Sequence, residues 1–262
     1  MNRQLIDSHI HLDMYEEADL RELLLELNPN HIKKVISVSN HLQSAKKNLA
    51  LAKNDPRIRP TFGFHPEQPL PTDSEVAQLL QFIQDNQHYM IAIGEVGLPY
   101  YLRESHPEMQ IEPYIELLEI FVQQTVKLNK PIILHAVYDD APIVCDLLEK
   151  YTVTKAHFHW FKGDQRTIER MKQNNYYISV TPDVLYEQEI QALVKSYPIE
   201  QMMVETDGPW PFEGDFKGKM THPKMMHQSI AKIAQLKNLE LGDTYQTIYE
   251  NTCRFYGISG WL

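Results

Sequence analysis

Eight short apolar runs, most of them followed by a longer amphipathic stretch, restrict the fold of this chain more than any other feature. Leu5 to His9 leads into a helical Glu16 to Leu27, Lys34 to Ser39 into Gln43 to Lys53, and Ile58 to Phe64 into Ser74 to Asp85. Tyr89 to Glu95 precedes a long helix from Ile111 to Leu128, where Leu117, Leu118, Phe121, Val122 and Val126 recur at helical spacing and predict its buried face. Pro131 to His135, Ala156 to His159, Tyr176 to Val180 and Gln201 to Glu205 supply the remaining strands, with helical Asp140 to Lys150, Gln165 to Asn174 and Glu187 to Ser196 between them. Lys224 to Leu236 and Asp243 to Phe255 add two helices, the second with Thr244, Thr247 and Glu250 on an expected polar outer face.

Strands that alternate with helices imply a parallel sheet. Eight such units in 262 residues match an α/β fold of the (β/α)8 TIM-barrel type, which typically takes about 250 residues. The competitor is an open, doubly wound sheet, which gathers a site from two or three neighbouring strands at one switch point. Ligand-type residues here close strands one, four, five, six and eight: His9 and His11, Glu95, His135, His159 and Asp207. Only a closed ring brings those strand ends together. No Gly/Ser-rich linker or repeat beyond the alternation interrupts the chain, so one domain over 1–262 is expected.

Composition narrows the function classes. Hydrophobic residues make up 43% and charged residues 23%, as in a folded globular protein. No apolar stretch is long enough for a membrane span, and Met1 to Asp7 runs into a strand without the basic and apolar regions of a signal peptide, so a cytoplasmic protein is expected. Cys145 and Cys253, both in helical segments and without CxxC spacing, read as small buried apolar residues. The formal net charge of −10 argues against broad binding to a polyanion. Contact with DNA or a small phosphoester would be local, and the basic pairs Lys33 with Lys34, Lys46 with Lys47, Arg57 with Arg59, and Lys217 with Lys219 are the candidates, each equally readable as a solvated face.

His9 and His11 stand two residues apart, so in extended backbone both imidazoles leave on one face and can reach one cation. A pair of core or surface histidines would look the same. His135 and His159 each end an apolar run, which places a ligand at a barrel mouth. Glu95 follows an apolar strand between Gly94 and Gly97, and its two oxygens can each bind a different metal; the alternative is a solvated loop glutamate. Asp207, before Gly208-Pro209, can hold a metal and accept a proton from water, or simply serve a turn. Glu205 shares the face of Asp207 and can stand behind the ligands or pair with a nearby cation. His157, on the face of His159, reads as a supporting group or as a hydrogen-bonded core histidine. Tyr138, Trp160 and Trp210 can wall a site for a base or ring, or pack within the loops.

Taken in order, Ile6-Asp7-Ser8-His9-Ile10-His11-Leu12, Gly63-Phe64-His65-Pro66, Ile93-Gly94-Glu95-Val96-Gly97-Leu98, Pro131-Ile132-Ile133-Leu134-His135, Phe158-His159-Trp160-Phe161-Lys162-Gly163 and Val204-Glu205-Thr206-Asp207 resemble a TatD-type metal-dependent hydrolase of the amidohydrolase-like barrel superfamily over nearly the whole chain. The resemblance implies that His9, His11 and Asp207 hold one cation, that His135 and His159 hold a second, and that Glu95 bridges them. It also implies that His65 lies beside a substrate phosphate and that Asn251 to Phe255 belongs to the C-terminal helix. By residue type, His65 is equally a histidine capping a loop. The implied activity is DNase or other phosphodiester hydrolysis, with a metal-bridging water as nucleophile and Asp207, Glu95 and His65 as the catalytic groups. Imidazoles with two carboxylates suit Zn²⁺, Mn²⁺, Ni²⁺ or Fe²⁺, whereas Mg²⁺ prefers oxygen and water.

Three positions depart from the pattern. Pro99 stands where an aspartate is usual, Val137 where an arginine is usual, and Glu67 where a second histidine is common. Losing a cation and adding an anion near the mouth weakens the hold on a polyphosphate backbone. Hydrolysis of a small amide, lactone or ester therefore stands as the alternative reaction, and a noncatalytic metal-binding scaffold as the alternative class.

Overall fold

The computed structural model describes residues 3–259, so the outer ends of the expected 1–262 domain lie outside the described residues. Eight strands lie parallel in chain order: β1 Leu5–Ile10, β2 Ile32–Ser37, β3 Ile58–Phe62, β4 Ala92–Gly97, β5 Ile132–His135, β6 Ala156–Phe158, β7 Tyr177–Val180 and β8 Met202–Val204. The helices are α1 Glu17–Glu26, α2 Leu42–Asn54, α3 Asp73–Asn86, α4 Tyr100–Ser105, α5 Glu112–Leu128, α6 Asp140–Lys150, α7 Gln165–Gln173, α8 Gln188–Ser196, α9 Met226–Lys237 and α10 Leu241–Tyr256. The ring closes just past β8, where Asp207 N–H donates to the His9 carbonyl (2.9 Å) and His11 N–H to the Gly208 carbonyl (2.8 Å). This is the expected TIM-type barrel. Among the described residues no helix is long and apolar enough to cross a membrane.

Strands buried on both faces read as continuous apolar runs, and β1, β4 and β5 are buried at every position. Ile6, Ile36, Ala92, Ile133 and Met203 form the barrel interior, floored by Cys253, Phe255 and Tyr256 from the end of α10. From that layer, alternation carries Ile133 to His135 and Met203 to Glu205 and Asp207 on the inner face. Ile6 to His9 and Ala92 to Glu95 are odd steps, and each crosses a register shift, between Asp7 and Ile10 in β1 and between Ile93 and Val96 in β4. Those irregularities return His9, His11 and Glu95 to the inner face.

Local signals start and stop the helices. Thr72 and Glu75 form a reciprocal capping box on α3, Asp164 caps α7 at Thr167 N–H (2.8 Å), and α5 ends on Asn129 in the left-handed region. Two expectations fail. Val126 is 51% exposed while Thr125 takes the inward position, because the stripe of α5 drifts by a residue over its last turn. Thr244 is buried, its hydroxyl donating to the Glu240 carbonyl, and so is not on an outer face. The short α4 lies between Glu95 and Ile111, where no element is expected. Gly97 is required where β4 meets β5, since a Cβ there would sit 1.9 Å from the His135 carbonyl oxygen.

Candidate metal centre

All six strand-end residues meet at the C-terminal mouth of the barrel. His9 Nε2 lies 3.2 Å from Glu95 Oε2 and 3.2 Å from Asp207 Oδ1; His11 Nε2 lies 3.3 Å from each of the same oxygens and 3.4 Å from His9 Nε2. The other Glu95 oxygen, Oε1, faces a second group: His159 Nε2 at 2.8 Å, His135 Nδ1 at 3.2 Å and His65 Nε2 at 3.3 Å, with 3.2 Å between the His135 and His159 nitrogens. Donors bonded to one transition-metal cation at about 2.0–2.2 Å lie roughly 2.8–3.5 Å from one another. Both clusters have that spacing. Both Glu95 oxygens and Asp207 Oδ1 are buried without a well-aligned hydrogen-bond partner, and orphaned acceptors of this kind suit a cation. The donor sets are therefore able to hold metal ions.

Charge agrees with geometry. Burial alone would raise the Glu95 carboxyl, but the imidazoles of His65, His159 and His9 hold it well below the usual carboxylate range. Burial would lower His11, yet the carboxylates of Asp207 and Glu95 beside it draw it up to about 10, and His159 is raised well above its ordinary value by Glu95 and Glu205. The two carboxylates thus demand positive charge.

A supporting layer holds the donors. Glu205 is fully buried behind His159, with Oε1 accepting from Trp160 N–H (2.8 Å) and standing 3.6 Å from His159 Nδ1, and Oε2 accepting from Ser179 Oγ (2.5 Å). His157 lies one step deeper, bonded to Ser179 Oγ (2.5 Å) and to the Tyr256 hydroxyl (2.8 Å). It is the hydrogen-bonded core histidine and reaches the ligands only through Ser179 and Glu205. Asp7 was not singled out as a site residue, although it is a buried acid two residues before His9. Its Oδ1 accepts from the backbone N–H of His9 (3.2 Å) and Thr206 (3.1 Å), and Oδ2 from the Thr206 hydroxyl, which ties β1 to the turn that carries Asp207. Asp207 itself has φ of 48°, a left-handed conformation that short acidic side chains tolerate.

The cleft above the donors measures about 370 Å³ and is walled by Glu67, Tyr101, Val137, Trp160, Lys162 and Trp210. A slightly larger hollow of about 420 Å³ beside His41, Phe64 and Phe121 contains none of the six donors. His65 lines the cleft and also caps its loop, its Nδ1 accepting from Glu67 N–H (3.2 Å), which is the capping role expected from its residue type. Trp160 and the 55% exposed Trp210 line the cleft, whereas Tyr138 turns away: its backbone is left-handed, its ring packs on Tyr100 at 4.9 Å and its hydroxyl donates to Glu189 (3.2 Å). None of the four basic pairs lines the cleft, and Arg57 is tied to Asp55 at 2.6 Å. The wall cation is Lys162, which lies within a motif already noted, and Tyr101 comes from α4, for which local sequence gave no signal.

A family model described as TatD related DNase matches residues 6–257. An uncharacterized metal-dependent hydrolase of Haemophilus influenzae is 37% identical over 253 residues, covering 96% of this chain and 99% of that relative. The human deoxyribonuclease TATDN3 is 25% identical over 261 residues, covering 96% and 94%. The crystal structure of YJJV, a TatD homologue from Escherichia coli K12, superposes with a TM-score of 0.88 at 22% identity over 99% of this chain and 100% of that one.

Proposed function

From the premise that this chain belongs to the TatD family of metal-dependent hydrolases, we propose that it hydrolyses phosphodiester bonds, taking a terminal nucleotide or a small phosphoester into the cleft, with two divalent cations at the barrel mouth. In this reading His9, His11 and Asp207 would hold one cation and His135 and His159 the other, with Glu95 offering one oxygen to each donor set. The observation that carries it is the division of Glu95: Oε2 faces one donor set at 3.2 and 3.3 Å, and Oε1 faces the other at 2.8 and 3.2 Å. Paired cations lower the pKa of water toward neutrality and stabilise charge on phosphoryl oxygens. Asp207 accepts the proton, since its Oδ1 is buried at the donor cluster and has no other hydrogen-bond partner. His65 and Lys162 face the cleft and donate to nonbridging oxygens. Trp160 and Trp210 offer faces for one base to stack on. A volume of about 370 Å³ sits at the small end of ligand clefts, which span about 300–1,000 Å³, and suits one nucleotide rather than a duplex. DNA is accordingly proposed as a partner through its end alone.

Hydrolysis of a small carbonyl compound is the second reading, favoured by the apolar Val137 and the carboxylate of Glu67 on the cleft wall. Metal-reconstituted protein assayed on a single-stranded oligodeoxynucleotide, on bis(4-nitrophenyl) phosphate and on a lactone and amide panel separates the two. Mass spectrometry under native conditions counts the ions. Phosphoester cleavage that Asp207→Asn abolishes supports the proposal. Turnover of carbonyl substrates alone, or phosphoester cleavage that survives Asp207→Asn, overturns it.

A further inference from the structure

Glu67 follows His65 by two residues on the loop after β3, and its side chain is 15% exposed. Three donors fix it. Oε1 accepts from Tyr101 N–H (2.9 Å) and lies 3.1 Å from His135 Nε2, while Oε2 accepts from Leu102 N–H (2.6 Å). A carboxylate held by two backbone amides and an imidazole cannot swing aside without leaving those donors unpaired. Its imidazole partner His135 is the nearest group of opposite tendency, and the neighbouring wall residues Tyr101 and Val137 bring no further positive charge. Lys162, the wall cation, lies with its ammonium 5.9 Å from the Trp160 ring centroid. The cleft is thus electrically lopsided, with a fixed negative charge on the His135 flank.

We propose that Glu67 is a specificity-determining residue, whose immobile carboxylate excludes a second anionic group from the His135 flank, so that the site favours a single phosphoryl group with uncharged neighbours over a run of phosphates. This rests on the phosphodiester reading of the same site and narrows its substrate class. A second phosphoryl group seated there would meet Glu67 as a like charge beside partly buried walls, where Coulomb repulsion is far less screened than in bulk water.

The test compares binding of inorganic orthophosphate and pyrophosphate to metal-loaded protein by calorimetry, in wild type, Glu67→Gln and Glu67→Ala. Glutamine keeps an acceptor for one amide and removes the charge; alanine removes both, and melting curves show which variant is folded. The preference for pyrophosphate over orthophosphate should rise by at least about fivefold in either folded variant, the factor expected for one like-charge contact at about 4 Å even at the dielectric constant of water. A preference unchanged within about twofold, or an equal loss of both ligands, overturns the assignment. Turnover of bis(4-nitrophenyl) phosphate is measured beside it in the wild type. Absent turnover with a raised pyrophosphate preference removes the phosphodiester reading and leaves the exclusion of a second anion standing; normal turnover with an unchanged preference removes only the role of Glu67.

Discussion

Glu205→Gln isolates the layer behind the donors. The carboxylate is fully buried, stands 3.6 Å from His159 Nδ1, and is held by Trp160 N–H at 2.8 Å and Ser179 Oγ at 2.5 Å. Glutamine has nearly the same volume, and its oxygen keeps the Trp160 contact. The Ser179 hydroxyl can turn to accept from the new amide, so the folded state loses little. What disappears is the negative charge facing the outer nitrogen of His159, whose Nε2 points at Glu95 Oε1. A carboxylate in that place makes the inner nitrogen a better ligand, and losing such a partner weakens metal binding by about 10–100-fold, or about 1.4–2.8 kcal/mol. Zn²⁺ titration of metal-free protein against a competing chelator resolves the steps. The expected result is that the step involving His159 weakens by that factor while the step on His9, His11 and Asp207 shifts by less than about threefold. Equal weakening of both steps, or none in either, would refute the inference that Glu205 tunes one ligand through its outer nitrogen.

Three further outcomes are expected. Asp207→Asn should lower kcat on the best phosphoester by about 10²–10⁴-fold, the usual contribution of a positioned base, and a loss under tenfold with metal content intact would contradict its assigned role. Gly97→Ala places a methyl group 1.9 Å from the carbonyl oxygen of His135, against backbone that cannot swing aside as a side chain would; urea denaturation should show a loss of about 3 kcal/mol or more, and a loss below about 1 kcal/mol would mean that β4 and β5 separate easily. Burial pushes the Asp183 carboxyl up to about 6 from 3.8, against hydrogen bonds from Thr181 and Trp160. The folded state therefore binds more protons than the unfolded chain between those values, and stability falls as pH rises through that window, by about 3 kcal/mol in full. Denaturation from pH 4 to 7 should show this slope flattened in Asp183→Asn, and an unchanged slope would assign it to other groups.

The parts of the molecule that follow from local pattern were legible in the sequence. Apolar runs bounded by helices gave the barrel, and even-numbered spacing on β5, β6 and β8 put His135, His159, Glu205 and Asp207 on one inner surface. Spacing alone also paired His9 with His11. It could not show how either strand keeps phase with the layer below, because Ile6 to His9 and Ala92 to Glu95 are odd steps that only a register shift against a neighbouring strand repairs. The helix α4 was hidden for a similar reason: amides at its start bond to Glu67, more than thirty residues earlier, a partner that no window of sequence contains. Of the two readings open for Tyr138, packing within the loops is the one the structure shows, because its left-handed backbone aims the ring at Tyr100. Asp7 gives no local signal, because its partner Thr206 lies on the far side of the ring closure.

This division of legible and hidden residues follows the division of labour in the barrel. Donors that must stay within tenths of an ångström of one another stand at or just beyond strand ends, where moving one would break bonds such as those joining Asp207 to His9 and His11 to Gly208. Residues that wall the cleft above them stand on loops and on the short α4, and Trp210 is more than half exposed. Substitution at a strand-end donor disturbs chemistry and fold together, whereas Glu67 can change charge at the expense of a few local hydrogen bonds. Glu67 and Val137, two of the three positions read in the sequence as departures from the resemblance, both stand on the cleft wall rather than among the strand-end donors.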